Sequence, residues 1–114
     1  MTVFAPTNSG CRSSGLGLKK IQSMDIDLAK HIVKTHATEG SHLAEELQCG
    51  SDLPTLDGTF SAHSTMCFKE SHAKAQYGFF NDEGDYPMIL SPNDLKLCNG
   101  YIQPVNKMIR VINF

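Results

Sequence analysis

Apolar and polar residues follow two different periods along this chain, a helical one early and a strand-like one later. Between Ile26 and Lys34 the apolar positions Leu28, Ala29, Ile32 and Val33 fall at helical spacing, while Lys30, His31 and Lys34 turn to solvent. The spacing predicts a helix over 26–34, capped by Ser23 or Asp25. From Leu53 the pattern becomes that of strands. Segments 53–56 and 59–67 flank Asp57-Gly58, a dipeptide suited to a hairpin, and Phe60, Ala62, Ser64 and Met66 alternate with Thr59, Ser61, His63 and Thr65. Residues 70–76 read as a polar connection. Segments 77–80 and 86–90 bracket a second turn at 81–85, and Ser91-Pro92-Asn93-Asp94 forms another. Asn99-Gly100 predicts a tight hairpin turn with positive φ at Gly100, leading into a closing strand from Tyr101 to Val111 whose middle Pro104 demotes to an edge or bulge.

The start of the chain is a corner. Val3 and Phe4 favour extended backbone, so residues 2–5 read as a short strand. Pro6 stops it, and Thr7 or Asn8 caps the turn or helix after it. Residues 9–17, rich in glycine and serine, read as a loop. Leu16, Leu18 and Ile21 then cover the core from a short, irregular helix, and Ser41 caps another over 42–47. The opening strand has no local partner, so it is expected to pair with the long apolar run 101–112. Helices early, strands late and one strand at the start argue for an α+β fold with helices gathered against a mostly antiparallel sheet.

Two stretches carry a resemblance. Thr2-Val3-Phe4-Ala5-Pro6-Thr7-Asn8 resembles the first signature box of the fasciclin-like domain almost residue for residue. The run Asp94-Leu95-Lys96-Leu97-Cys98-Asn99-Gly100-Tyr101-Ile102-Gln103-Pro104-Val105-Asn106-Lys107-Met108-Ile109 is similar to the second, with Gln103 where the family usually has His and Pro104 interrupting the strand. The resemblance implies a single domain over 1–114, a wedge of mostly antiparallel strands with helices packed around it. Family members carry helices before the first box. Only Met1 precedes it here, so the domain is expected to be truncated at its N-terminus and to leave apolar surface uncovered.

The family's adhesive contacts, including those to integrins, are associated with a Tyr-His step and an Asp-Ile step. By position these become Thr35-His36, where Thr35 replaces the Tyr, and Asp94-Leu95. The resemblance therefore implies a non-enzymatic adhesion and protein-binding module, secreted or at the cell surface or in extracellular matrix. Its partners would be a cell-surface receptor, a matrix protein or a glycan, with no cofactor. His36 is expected to titrate near physiological pH, so that binding through it changes over that range. The alternatives are a soluble domain holding a small apolar ligand in an enclosed pocket, and a divergent metal-dependent hydrolase in which three histidines converge.

Composition narrows these options. The 114 residues carry a formal charge of −2 with no Lys/Arg cluster, which gives no reason to expect nucleic acid. No apolar run spans a bilayer, and no signal peptide follows Met1. The four cysteines allow three fully paired connectivities, or four buried thiols. The five histidines show no HExxH-like spacing, and there is no GxSxG elbow. Asp82, Glu83 and Asp85 read as a solvated turn in preference to a calcium loop, Gly15-Leu16-Gly17 is too sparse for a phosphate loop, and Tyr77, Phe79 and Phe80 read as core.

Overall fold

The computed structural model describes residues 1–15, 18–58 and 61–112. Its strands form two sheets. The larger has the order β2-β1-β7-β6, from β1 (Thr2–Pro6), β2 (Ala37–Thr38), β6 (Leu95–Leu97) and β7 (Gly100–Val105). The smaller is an antiparallel β3-β4-β5 sheet of β3 (Asp52–Pro54), β4 (Ala62–Phe68) and β5 (Ala73–Tyr77). Helices α1 (Asn8–Ser13), α2 (Leu18–Ser23) and α3 (Ile26–Thr35) all precede β2. The α+β expectation holds.

The ends of the chain are paired, as expected for a strand without a local partner. β1 runs parallel to β7 with Phe4 opposite Gln103 and Ala5 opposite Pro104. On its other side β1 pairs antiparallel with β2. Pro104 neither bulges nor sits on an edge strand, because its carbonyl accepts the Leu90 amide at 2.8 Å. A residue's N–H and C=O point to the same side of a strand, so the donor missing from Pro104 falls where β6 has already ended and not towards β1. The closing strand stops at Val105, short of the predicted Val111. Beyond it the amides of Met108, Ile109 and Arg110 are taken by the side chains of Ser14, His36 and Asn81.

The hairpin after β6 turns through Cys98 and Asn99, one residue earlier than predicted, with Leu97 opposite Gly100. Glycine is required at position 100 by a close approach: a Cβ there would lie 1.6 Å from the Met1 carbonyl oxygen, which accepts the Tyr101 amide. Residues 9–17 contain a helix, not only a loop. Thr7 caps α1 through the Gly10 amide, and Gly10 is small because its Cα lies against the Asn106 backbone. The predicted helix over 42–47 contracts to a 3-10 turn, Ala44–Glu46, without a side-chain cap from Ser41. Leu16, Thr59 and Phe60, with the side chains of Leu18 and Ile21, lie outside the described residues.

The smaller sheet keeps the predicted alternation of β4, with its polar set inside, and corrects one expectation. On β4 the buried side chains are His63 and Thr65, while Ala62 is exposed. Residues 73–76, assigned to a polar connection, form β5 together with Tyr77, because Gln76 satisfies the polar face of β4. Gln76 is fully buried, accepts from the Thr65 hydroxyl at 2.8 Å and donates to His63 Nδ1 at 2.9 Å. The segment after the 81–85 turn stitches the sheets together by bridges Ala75–Met88 and Ile89–Val105. The main apolar core is Phe4, Leu47, Val105 and Ile109; a second cluster, Ile32 and Met108, lies under α3. A disulfide joins Cys49 to Cys67, leaving Cys11 and Cys98 as thiols.

Candidate partner-contact site

His36 closes α3, and three parts of the chain meet on it. Its carbonyl accepts the Phe4 amide of β1 at 2.8 Å. Its Nε2 accepts the Ile109 amide at 2.9 Å, so the ring proton sits on Nδ1 and is donated to the Ile32 carbonyl at 2.8 Å. The Thr35 hydroxyl donates to the same carbonyl at 2.6 Å. Thr35 is 0% and His36 4% exposed. Both side chains are buried, and both ring nitrogens of His36 are spent inside the fold, although His36 borders an open apolar groove beside β1. Burial lowers the pKa of His36, the bond to Ile32 opposing it only in part. Desolvation therefore holds the His36 pKa below its ordinary value, against the expected titration near physiological pH.

His63 extends this buried pair. It is 1% exposed, and its ring meets that of Phe4 edge to face at 5.2 Å. With Nδ1 accepting from Gln76, the proton lies on Nε2, which has no hydrogen-bond partner. Burial, and secondarily the proximity of His36, lowers its pKa to about 3. Among the described residues no three His, Cys, Asp or Glu side chains group to hold a metal ion.

Asp94-Leu95 is arranged differently. Asp94 takes a positive φ of 55° at the entry to β6, a conformation that Asp tolerates better than most residues. Its backbone amide donates to Gln103 Oε1 at 2.8 Å. Its carboxylate Oδ1 accepts both Gln103 Nε2 at 2.6 Å and the Ala44 amide at 2.8 Å. The carboxylate thus caps the 3-10 turn that Ser41 leaves uncapped, and Lys74 Nζ closes its other end on the carbonyls of Ala44 and Leu47. Gln103, fully buried on β7, also donates to the His42 carbonyl at 2.9 Å. One amide therefore fixes the turn and the loop beside it, a task that needs an acceptor and two donors together.

On this fixed turn Leu95 is 41% and Leu97 45% exposed. Two residues apart on β6, they share a face of an edge strand. Leu97 was not singled out from the sequence, although an apolar pair at strand spacing beside a turn is its signal. Other exposed apolar groups are Phe79, assigned to core but 88% exposed, and Phe80 beside it. An apolar groove of about 270 Å³, open on one side, runs between β1 and the helices, lined by Val3, Met24, Ala29, Ile32, Val33 and Met108 among others. It is not the enclosed pocket expected of a small-ligand carrier.

The paired boxes, the two-sheet wedge and the helices before β2 agree with a family model. The model for the fasciclin domain matches residues 1–111. The chain belongs to the fasciclin-domain family. A search of curated proteins gives no match to this chain. Fasciclin domains are in general adhesion and interaction modules, typically extracellular or at cell surfaces and generally non-enzymatic. No helix among the described residues is long and apolar enough to cross a membrane.

Proposed function

We propose that this fasciclin domain is a non-enzymatic adhesion module, working at a cell surface or in a matrix, that contacts a partner through the turn formed by Asp94, Leu95 and Leu97. The observation that carries this reading is the contrast within the turn: Asp94 is held by three hydrogen bonds, whereas Leu95 and Leu97 are left exposed. Apolar side chains on a rigid backbone lose little entropy on docking and can act as anchors. Leucine pairs suit a protein surface better than a glycan, so the partner is a cell-surface receptor or matrix protein. Asp94 positions the anchors. Thr35 and His36 support the sheet behind them. The Cys49–Cys67 disulfide supports an oxidising, extracellular setting.

The test is attachment of cells or matrix proteins to a surface coated with the domain. Leu95→Asp should reduce attachment by about tenfold or more, the loss of an interface anchor, while leaving the thermal midpoint near the parent value. Undiminished attachment by a folded Leu95→Asp variant would remove the turn from the binding surface.

A further inference from the structure

The β6–β7 hairpin carries a reactive dipeptide at its tip. Asn99 is exposed and directly precedes Gly100. Asparagine is thermolabile because the nitrogen of the following amide can attack its side-chain carbonyl carbon. A side chain on the following residue hinders that approach, and glycine has none. Here the glycine cannot be exchanged, since a Cβ at position 100 would overlap the Met1 carbonyl oxygen. The fold therefore fixes the most permissive neighbour beside Asn99.

The other asparagines differ. They are followed by Ser9, Asp82, Asp94, Lys107 and Phe114. The Asn81 side chain is held by three hydrogen bonds, and Asn106 Oδ1 accepts the Met88 amide at 2.8 Å. The Asn99 side chain has no hydrogen-bond partner among the described residues. In the ladder Gly100 faces Leu97, so its amide is freed when the tip opens. β6 has three residues, all exposed and at the edge of the larger sheet, which keeps the cost of that opening low.

We propose that Asn99 is a site of spontaneous deamidation, which converts the hairpin tip to aspartate and isoaspartate as the protein ages. The Gly100 nitrogen bonds to Asn99 Cγ, the Cγ–Nδ2 bond breaks, and ammonia leaves with the proton that the Gly100 amide gives up. One water from solvent then opens the five-membered imide. Opening at Cγ gives aspartate. Opening at the main-chain carbonyl carbon gives isoaspartate, whose backbone runs through Cβ and Cγ and is one atom longer. Either product places a carboxylate two residues from Leu97, and isoaspartate also displaces the register of the turn. Resting on the reading that this turn contacts a partner, ageing of Asn99 switches that contact off.

The experiment holds the 114-residue chain at physiological temperature, at neutral and mildly alkaline pH, and follows the tryptic peptide 97–107, which contains Asn99 and Asn106. The peptide should gain the mass of one water less one ammonia, by conversion at Asn99 and not at Asn106. The gain should be faster at the higher pH, because the Gly100 nitrogen attacks once deprotonated, and fragmentation should find isoaspartate at position 99. Asn99→Gln, whose cyclisation needs a larger ring, should abolish the gain. Surfaces coated with aged parent should lose attachment in proportion to conversion, while aged Asn99→Gln should keep it. An Asn99 that stays amidated in the folded chain, while the same chain in denaturant converts, would overturn the proposal, since the ladder would then protect the tip. Conversion at Asn99 without loss of attachment would uphold the modification and instead remove the turn from the contact surface.

Discussion

His36 shows how one side chain can carry a family resemblance and yet lie buried in the fold. Its position at the end of a helix was legible from the Leu28–Val33 periodicity. Its burial was not, because the amide that occupies its Nε2, that of Ile109, lies 73 residues further along the chain. Gln103 behaves similarly: a replacement for the family's His in the sequence, it is a fully buried clamp on Asp94 and His42 in the fold. The two buried histidines impose a pH dependence. Both have folded pKa values below the ordinary 6.5, His63 at about 3, so the unfolded chain takes up protons first as pH falls. Stability is complete above about pH 6.5 and declines as pH drops towards 3, by about 1.4 kcal/mol per pH unit from His63, with His36 adding in the same direction. Denaturant unfolding at a series of pH values checks this. His63→Gln, which cannot titrate, should flatten the slope between pH 6 and 4, and a slope unchanged by the substitution would refute the assignment.

At the scale of elements, local pattern located most structure and misjudged its limits. The helix over 26–34, the opening strand and the hairpins after Asp57 and before Gly100 were visible because periodicity and turn residues are local signals. β5 was not, since Ala75 and Gln76 gain their burial from β4 and from the segment around Pro87. The buried face of β4 was not legible from its alternation, because polar side chains, His63, Thr65 and Gln76, form the interior there and satisfy one another. Val33, read as part of the core stripe, is 67% exposed on the rim of the groove. The sequence left open three fully paired connectivities or four thiols; the fold has one disulfide and two thiols, and the disulfide ties Cys67 of β4 to the turn leading into β3, where Gly50 and Ser51 also bond to Thr65. With a separation of 18 residues, replacing both cysteines by serine should cost about 3 kcal/mol of stability. Equilibrium unfolding of Cys49→Ser/Cys67→Ser against the parent measures this. An unchanged midpoint would mean that the β3–β4 hairpin holds its register unaided.

Taken whole, the molecule closes on itself through the parallel β1–β7 pair and uses that closure to hold a turn. β1 anchors His36 through the Phe4 amide, β7 presents Gln103, Gln103 fixes Asp94, and Asp94 sets the base from which Leu95 and Leu97 project. On the proposed reading the family's two adhesive steps divide their roles: Thr35-His36 is buried in the fold, and Asp94-Leu95 would face a partner. The sequence pointed to both positions but not to this division, which depends on burial and hence on contacts between distant segments. The most direct measurement compares two variants for stability and for attachment in the same preparation. His36→Ala leaves the Ile32 carbonyl and Ile109 amide without their partner and opens a cavity, and should cost about 2–4 kcal/mol; below its melting temperature it should still support attachment. Leu95→Asp should melt with the parent and lose attachment. A folded His36→Ala variant that loses attachment, together with a Leu95→Asp variant that keeps it, would contradict the account.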